Sequence, residues 1–322
     1  MQLWGTTAAG TQRFRCRNCG MSGVRTRTDN IRRQRSKMFV SWITNSAHLN
    51  TLKAKHSVSR KTLIQWMRPY WKYIPTPRIP KRNVSILVVD ATSVVKRECV
   101  ALITLDVHTS MPVSWSFSSR ESYTSWKLLF AQLAKHGINP SFIVCDGQRG
   151  MLKAIHEVWP DAVIQRCMIH IVRQAKLWLT QNPQTPAGQE LLILVRSLLD
   201  VQTPTQRDAW IQSYEETLLR HEEFLKERSW NDDHTRWWYT HRKLRAVRSL
   251  LSNSIPDVFT FIDRPQVPRT SNHVEGGINS RLKDLYRIHR GLSAWKKIVL
   301  TSWYLTIRQR RTTTRKPTRK VT

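Results

Sequence analysis

Apolar and polar positions change rhythm several times along the chain. The first 37 residues show no sustained period. From 38 to 73 the spacing turns helical: Phe39, Trp42 and Ile43 stand at i, i+3 and i+4, and Leu63, Trp66 and Met67 repeat the pattern after a break. Between them HSVSRK at 56–61 offers Ser59 as the N-cap of a basic second helix. Two short helices about a tight joint, the second cationic, predict a helix-turn-helix; a helical hairpin that only packs on a core is the plainer alternative. Pro75, Pro77 and Pro80 then interrupt any helix or ladder, which predicts a linker and a boundary near Ile79.

Short apolar runs follow. VSILVVD at 84–90, VALITLD at 100–106 and PVSWSF at 112–117 read as strands. Residues 121–136 read as a helix, with Trp126, Leu129, Phe130 and Leu133 on one side and Gly137 as its stop. SFIVCD at 141–146 is a fourth strand, 151–159 a helix and AVIQ at 162–165 a fifth strand. That order predicts an α/β fold, a mixed sheet flanked by helices. From 171 to about 257 strand signals are absent and helical stripes such as Leu191, Leu194, Val195 and Leu198 prevail. A loop over 256–269 and a last helix over 272–286 follow, and from Arg308 the tail carries seven cations and no acid, as a disordered phosphate-neutralising arm would. The expected organisation is a basic segment 1–37, a helix-turn-helix domain 38–78, a first core part 79–170, a helical insertion 171–268, the last core helices 269–305 and a basic tail 306–322.

Composition narrows the partners. The 322 residues are 40% hydrophobic, enough for a sizeable core, but 53 Lys and Arg face 22 Asp and Glu, a net charge of +31. Such an excess calls for a polyanion, and nucleic acid is the usual one. An anionic membrane is disfavoured, because no apolar run approaches the roughly 18 residues of a span. Five cysteines, an odd count without a framework, argue for a reducing compartment; a cytoplasmic, nucleoid-associated location without membrane contact is expected.

Against this scarcity of carboxylates, Asp90 and Asp146 each close an apolar strand. If those strands are neighbours, both acids project at one edge, and Glu275 on the last helix is the natural third. Hard oxygen ligands suit Mg²⁺ (or Mn²⁺), and three acids can hold the two ions used for in-line attack on phosphodiesters. The alternative is structural: a strand-terminal Asp commonly forms a turn, the role expected of Asp106, and Glu275 alone could be a solvated helix residue.

The motifs VVDAT at 88–92, CDGQRGMLKAI at 145–155, QRCMIH at 165–170, TSNHVEGGINSRLK at 270–283 and HRGLS at 289–293, with Glu121 and Trp126 opening the first core helix, resemble Mutator-type (MULE-like) insertion-sequence DDE transposases. The resemblance covers about 84–305 and implies a ribonuclease-H-like, retroviral-integrase-type core with a helical insertion. It implies Asp90, Asp146 and Glu275 as catalytic ligands of two Mg²⁺ ions, with Cys167 and His170 a structural or active-site-adjacent pair. It further implies binding of terminal inverted repeats and target DNA, 3′-end cleavage, strand transfer without a covalent protein–DNA intermediate, and a homodimer or larger assembly on double-stranded DNA. A metal-dependent nuclease without strand transfer, and a catalytically lapsed DNA-binding relic or repressor, remain the alternatives.

Candidate DNA contacts are Arg60 and Lys61 on the basic second helix, and Arg281, Lys283, Arg287 and Arg290 along and after the Glu275 helix. Trp237 and Trp238, among Arg236, His241, Arg242 and Lys243, either stack on unpaired bases or close the core of the insertion. Cys16 and Cys19 in CRNCG resemble the second knuckle of a zinc ribbon. Nothing before Cys16 is Cys or His, so the half site is not expected to bind zinc and the N-terminus is expected to be poorly ordered.

Overall fold

The computed structural model describes residues 1–24, 28–45, 47–271 and 275–310, with the backbone alone at Thr28, Asp29 and Glu275. The chain divides into two compact units, one of Met1–Pro75 with Asp284–Ile307 and one of Thr76–Lys283 with the residues from Arg308 on. In the first unit, β1 (Gln2–Thr6), β2 (Gln12–Arg15) and β3 (Ser22–Val24) form an antiparallel sheet in that order. This corrects the expectation of a poorly ordered N-terminus. The strands escape period counting because they are short and bury little; turn chemistry holds them instead. Gly10 and Gly20 take positive φ at their turns, and the Arg15 guanidinium lies 4.4 Å over the Trp4 ring.

Helix α1 (Thr28–Thr44) begins ten residues before 38, because its first turns face solvent and only Met38, Phe39, Trp42 and Ile43 bury a face. α2 (Leu49–His56) ends at Ser57 in the left-handed region, and α3 (Arg60–Met67) starts under Ser59, whose hydroxyl accepts from Thr62 N at 3.1 Å as predicted. Phe39 stacks on Tyr70 at 4.0 Å and meets Trp303 edge-on at 5.5 Å, which supplies much of this unit's core.

The second unit is built on β4 (Ile86–Val95), β5 (Cys99–Asp106), β6 (Met111–Ser118), α4 (Tyr123–Lys135), β7 (Phe142–Cys145), α5 (Arg149–Val158) and β8 (Val163–Arg166). The strand order is β6-β5-β4-β7-β8, antiparallel across β6-β5-β4 and parallel across β4-β7-β8. The mixed α/β sheet expected from the pattern is present. One detail differs: β4 does not stop at Asp90, because its antiparallel ladder with β5 carries on past Asp90↔Ile103 to Val95↔Cys99. Leu87, Val89, Ile143, Cys145 and Ile164 point into a core closed by Trp126, Phe130, Leu133, Met151 and Ile155 of α4 and α5. By strand alternation Asp90 and Val88 face the other way.

After β8 come α6 (Met168–Leu179), α7 (Pro186–Ser197), α8 (Pro204–Arg220), α9 (Glu222–Lys226), β9 (Arg228–Trp230), β10 (Trp237–Tyr239), α10 (Arg242–Ser252), α11 (Ile255–Val258) and α12 (Thr260–Asp263). The helices share their own core, including Leu191, Val195, Trp210, Tyr214, Val247 and Leu251. The β9–β10 hairpin corrects the strand-free reading of this region; three-residue strands are too short to show alternation. α11 and α12 cover the outer edge of β8. The buried Gln165 side chain donates to Val258 O at 2.8 Å and accepts from Phe261 N at 2.9 Å, and Thr260 Oγ1 donates to Ile164 O at 2.7 Å. Gln165→Leu strands both backbone groups away from water, so urea denaturation should show a loss of about 3 kcal/mol; a midpoint equal to wild type would refute the account of this edge.

The C-terminal part opens with a π-helical turn, Glu275–Asn279, running into α13 (Ser280–Ile288), and ends in α14 (Ala294–Arg310). The helix expected over 272–286 is therefore described only from 275, and positions 272–274 lie outside the described residues. α14 falls mostly within the stretch expected to hold the last core helices, 269–305, but its bounds could not be read, because residues 299–307 are all buried and no amphipathic stripe marks it. Its buried Thr301 and Thr306 hydroxyls are satisfied by Lys297 O and Ser302 O, at 2.7 and 2.8 Å. The expected arm begins at Arg308, yet α14 extends to Arg310; 311–322 lie outside the described residues. Among the described residues no helix is long and apolar enough to cross a membrane.

Candidate active site

The parallel ladder of β4 and β7 pairs Ile86↔Phe142, Leu87↔Ile143 and Val88↔Val144. Asp90 and Asp146 each stand two residues past the last pair. They therefore sit at one level on adjacent strands, where neighbours are about 4.8 Å apart, and on the face opposite the α4–α5 core. Asp90 is 6% exposed. Its Oδ1 accepts from Ala91 N at 2.9 Å and its Oδ2 from Asn279 Nδ2 at 2.7 Å. Asp146 is half-buried; its Oδ1 accepts from Gln148 N at 2.9 Å, and its carbonyl from Arg166 Nε at 3.1 Å. Asp106 is the turn-former expected, taking His108 N at 2.9 Å and Thr109 Oγ1 at 2.9 Å as well as the Arg82 guanidinium.

Glu121 joins this neighbourhood. Burial, and then the charge of Asp146, push its carboxyl above the ordinary value, against the Trp126 indole that donates to it at 3.0 Å and the nearby His170. Cys167 and His170 sit at the start of α6, hydrogen-bonded to each other, and the Cys167 sulfur also accepts from Ser271 N and Ser271 Oγ, both at 3.3 Å. Burial raises the Cys167 thiol, but these donors outweigh it and leave it below the ordinary value.

The donor set is oxygen-rich. Besides the two carboxylates, the buried Asn279 Oδ1 has no hydrogen-bond partner among the described residues. Such ligands match a hard divalent cation and not zinc. The side chain of Glu275 lies outside the described residues; its backbone stands one helical turn before Asn279. Among the described residues no three of His, Cys, Asp and Glu are grouped closely enough to hold a metal ion. Asn279 was quoted in the sequence only as part of a motif; its contact with Asp90, 189 positions away, has no local signal.

The remaining candidates divide. Arg60 and Lys61 are exposed at the start of α3, and Arg281, Lys283, Arg287 and Arg290 are exposed along and after α13. In the hairpin Trp237 is 41% exposed and its cross-strand partner Trp230 is 46% exposed, so neither closes the insertion core. Arg228 lies 4.2 Å over Trp237, Arg242 5.4 Å over Trp238 and Arg245 3.4 Å over Tyr239. Trp230, Arg228 and Arg245 were missed by sequence reading because hairpin pairing, not spacing, brings them in. Cys16 and Cys19 lie at the β2–β3 turn, Cys19 exposed and Cys16 partly so, and backbone donors at Cys19 and Asn18 hold the Cys16 thiol below its ordinary value. Cys99, Cys145 and Cys167 are buried, and burial pushes the Cys99 and Cys145 thiols up. Brief alkylation of the folded protein near neutral pH should therefore modify Cys16 and Cys19 and spare the other three, as read by peptide mass spectrometry; early labelling of Cys145 would contradict this.

Residues 83–215 match the family model described as Transposase, Mutator family. The chain is 29% identical over 105 residues to a probable transposase for an insertion sequence element of Corynebacterium diphtheriae, covering 32% of this chain and 30% of that protein. It is 32% identical over 101 residues to the transposase for insertion sequence element IS905 of Lactococcus lactis, covering 28% and 26%, and 29% identical over 115 residues to the transposase for insertion sequence element ISRM5 of Rhizobium meliloti, covering 33% and 29%. These matches span less than a third of the length of each relative. A chain of the simian T-cell lymphotropic virus intasome bound to a PP2A regulatory subunit aligns over 64% of this chain and 73% of that chain at 12% identity, with a TM-score of 0.20, too low to indicate a common fold. Residues 83–215, where the strands bearing both aspartates lie, are thus similar to the Mutator family of transposases.

Proposed function

We propose that the protein is a DNA transposase with a ribonuclease-H-like core, which binds the inverted repeats of its element, cuts the 3′ ends and joins them to target DNA. The observation that carries this reading is the level placement of Asp90 and Asp146 on adjacent parallel strands, with beside them a buried Asn279 oxygen that has no hydrogen-bond partner among the described residues. Asp90, Asp146 and Glu275 would hold Mg²⁺ (or Mn²⁺). Two such ions, when bound, lower the pKa of an attacking water or 3′-hydroxyl and stabilise the leaving oxygen. Asn279 fixes the Asp90 carboxylate through Oδ2, and Gln148 N fixes that of Asp146 through Oδ1.

The cations suit the substrate. Arg60 and Lys61 on α3, read as the second member of a helix-turn-helix, and Arg281, Lys283 and Arg290 would neutralise phosphates. Trp237 and Trp238, with Trp230 added by the hairpin, would stack on unpaired bases. Pairing two element ends implies a homodimer or larger assembly on DNA.

Labelled DNA carrying the inverted repeats that flank the gene tests this directly. The full-length protein should nick the 3′ ends and join them to a target in Mg²⁺, and Asp146→Ala and Glu275→Ala should do neither while still shifting the DNA on a gel. Strand transfer at the wild-type rate by either variant would overturn the reading; cutting without joining by the wild type would replace it with a nuclease.

A further inference from the structure

Cys167 has a task that ligand chemistry does not explain. Its backbone N–H donates to Cys145 O at 2.7 Å, the carbonyl directly before Asp146. The preceding residue, Arg166, holds the Asp146 carbonyl itself at 3.1 Å. On the other side the Cys167 sulfur receives Ser271 N and Ser271 Oγ, and Met168 N donates to Arg269 O at 3.2 Å. Cys167 is 1% exposed and Ser271 0%. Ser271 lies four positions before Glu275, a span of at most about 14 Å of extended chain. Four positions after Glu275, Asn279 is bonded to Asp90. The backbone of Glu275 is thus bracketed by two anchors, one on the strand of Asp90 and one on the residue stapled to the strand of Asp146.

We infer that Cys167 is a positioning residue, whose sulfur fixes the 269–271 stretch so that Glu275 is delivered to Asp90 and Asp146. Sulfur suits the role. It is a large, soft acceptor that costs little to bury, and it reaches two donors of one residue at 3.3 Å without crowding the start of α6. His170 shares a further hydrogen bond with the same sulfur. Donors already surround the sulfur, which accounts for a Cys-x-x-His pair that completes no metal site.

The inference rests on Glu275 being a metal ligand, as proposed above, and the test separates the two. Full-length wild type, Cys167→Ala, Cys167→Ser, Ser271→Ala and Glu275→Gln are compared for metal-free DNA binding, for the Mg²⁺ concentration giving half-maximal cleavage, and for hydrogen exchange over 269–279. Cys167→Ala should bind DNA as wild type, exchange faster at 269–279 and need about tenfold more Mg²⁺, as losses around a metal's ligands commonly do. Cys167→Ser, which keeps an acceptor, should recover part of the shift, and Ser271→Ala should show a smaller one. Glu275→Gln should not cut. If Glu275→Gln cuts normally, the site reading fails and this inference with it. If Glu275→Gln is dead while Cys167→Ala keeps the wild-type Mg²⁺ response and exchange, the inference alone is overturned. Should Cys167→Ala not fold, Ser271→Ala decides in the same way.

Discussion

Asp90→Asn is expected to abolish Mg²⁺-dependent DNA cleavage and to leave the protein at least as stable as the wild type. The two effects have opposite signs for one reason, the concentration of negative charge on one face of the sheet. Asp90 and Asp146 stand level on neighbouring strands, and Asp90 is almost wholly buried, so two like charges are held close to one another. The Asn side chain has the same shape. It still accepts from Ala91 N through its remaining oxygen, and its amide can donate to Asn279 Oδ1 once the Asn279 amide turns over, a bond that replaces the one Asn279 Nδ2 now gives to Asp90 Oδ2. With the number of hydrogen bonds unchanged, relief of repulsion should add about 1 kcal/mol, raising the melting temperature by about 2–4 °C in a chain of this size. Activity moves the other way. Under the proposed function Asp90 would be a metal ligand supporting several kcal/mol of transition-state charge stabilisation, and losing about 4 kcal/mol corresponds to about a thousandfold in rate. Thermal melting and single-turnover cleavage measured on one preparation check both signs. Cleavage within tenfold of wild type would remove Asp90 from the reaction.

The second large effect is expected at Gly147, the residue after Asp146. Its φ of +81° lies in the left-handed region, and a Cβ there would stand 1.7 Å from Arg166 Nε and 1.9 Å from its Cζ. Either fact alone would disfavour Gly147→Ala; together they force a rearrangement. The left-handed conformation costs a non-glycine residue about 1–2 kcal/mol. Arg166 must also give up its hydrogen bond to Asp146 O, at a further cost of about 1–3 kcal/mol. The guanidinium has somewhere to go, because a cavity of about 680 Å³ lined by Arg149, Leu152, Trp178, Ser249 and Asn253 adjoins it. That escape keeps the loss to about 2–5 kcal/mol and lets the protein fold. Cleavage should fall with it, since the Asp146 backbone is released. Gly147→Ala at wild-type stability in urea would show that the Arg166–Asp146 contact does not constrain this turn.

Legibility followed the range of the physics. The strands over 84–117, the Gly137 stop, the α5 helix and the Ser59 cap are governed by neighbours within a few residues, and each appears close to where local rules put it. What failed was either too short or too buried for a period to show. The three-residue strands of the β9–β10 hairpin are of the first kind, and α14, with no exposed face over 299–307, is of the second. The N-terminal sheet failed for a third reason, because turns and an Arg–Trp contact hold it where an apolar stripe would be expected.

By itself the sequence determined which residues were available for chemistry: a chain with 53 basic and 22 acidic side chains, two of those acids closing β-like runs, and a Cys-x-x-His pair after the last strand. Residue identity and local periodicity are properties of the chain alone. Only the tertiary structure decided that β4 and β7 are parallel neighbours in the register that levels Asp90 with Asp146, that Asn279 meets Asp90, and that the Cys167 sulfur takes its donors from Ser271. Those choices turn on strand order and on hydrogen bonds between residues more than a hundred positions apart in two of the contacts, where burial of the whole sheet selects one pairing and no local preference can.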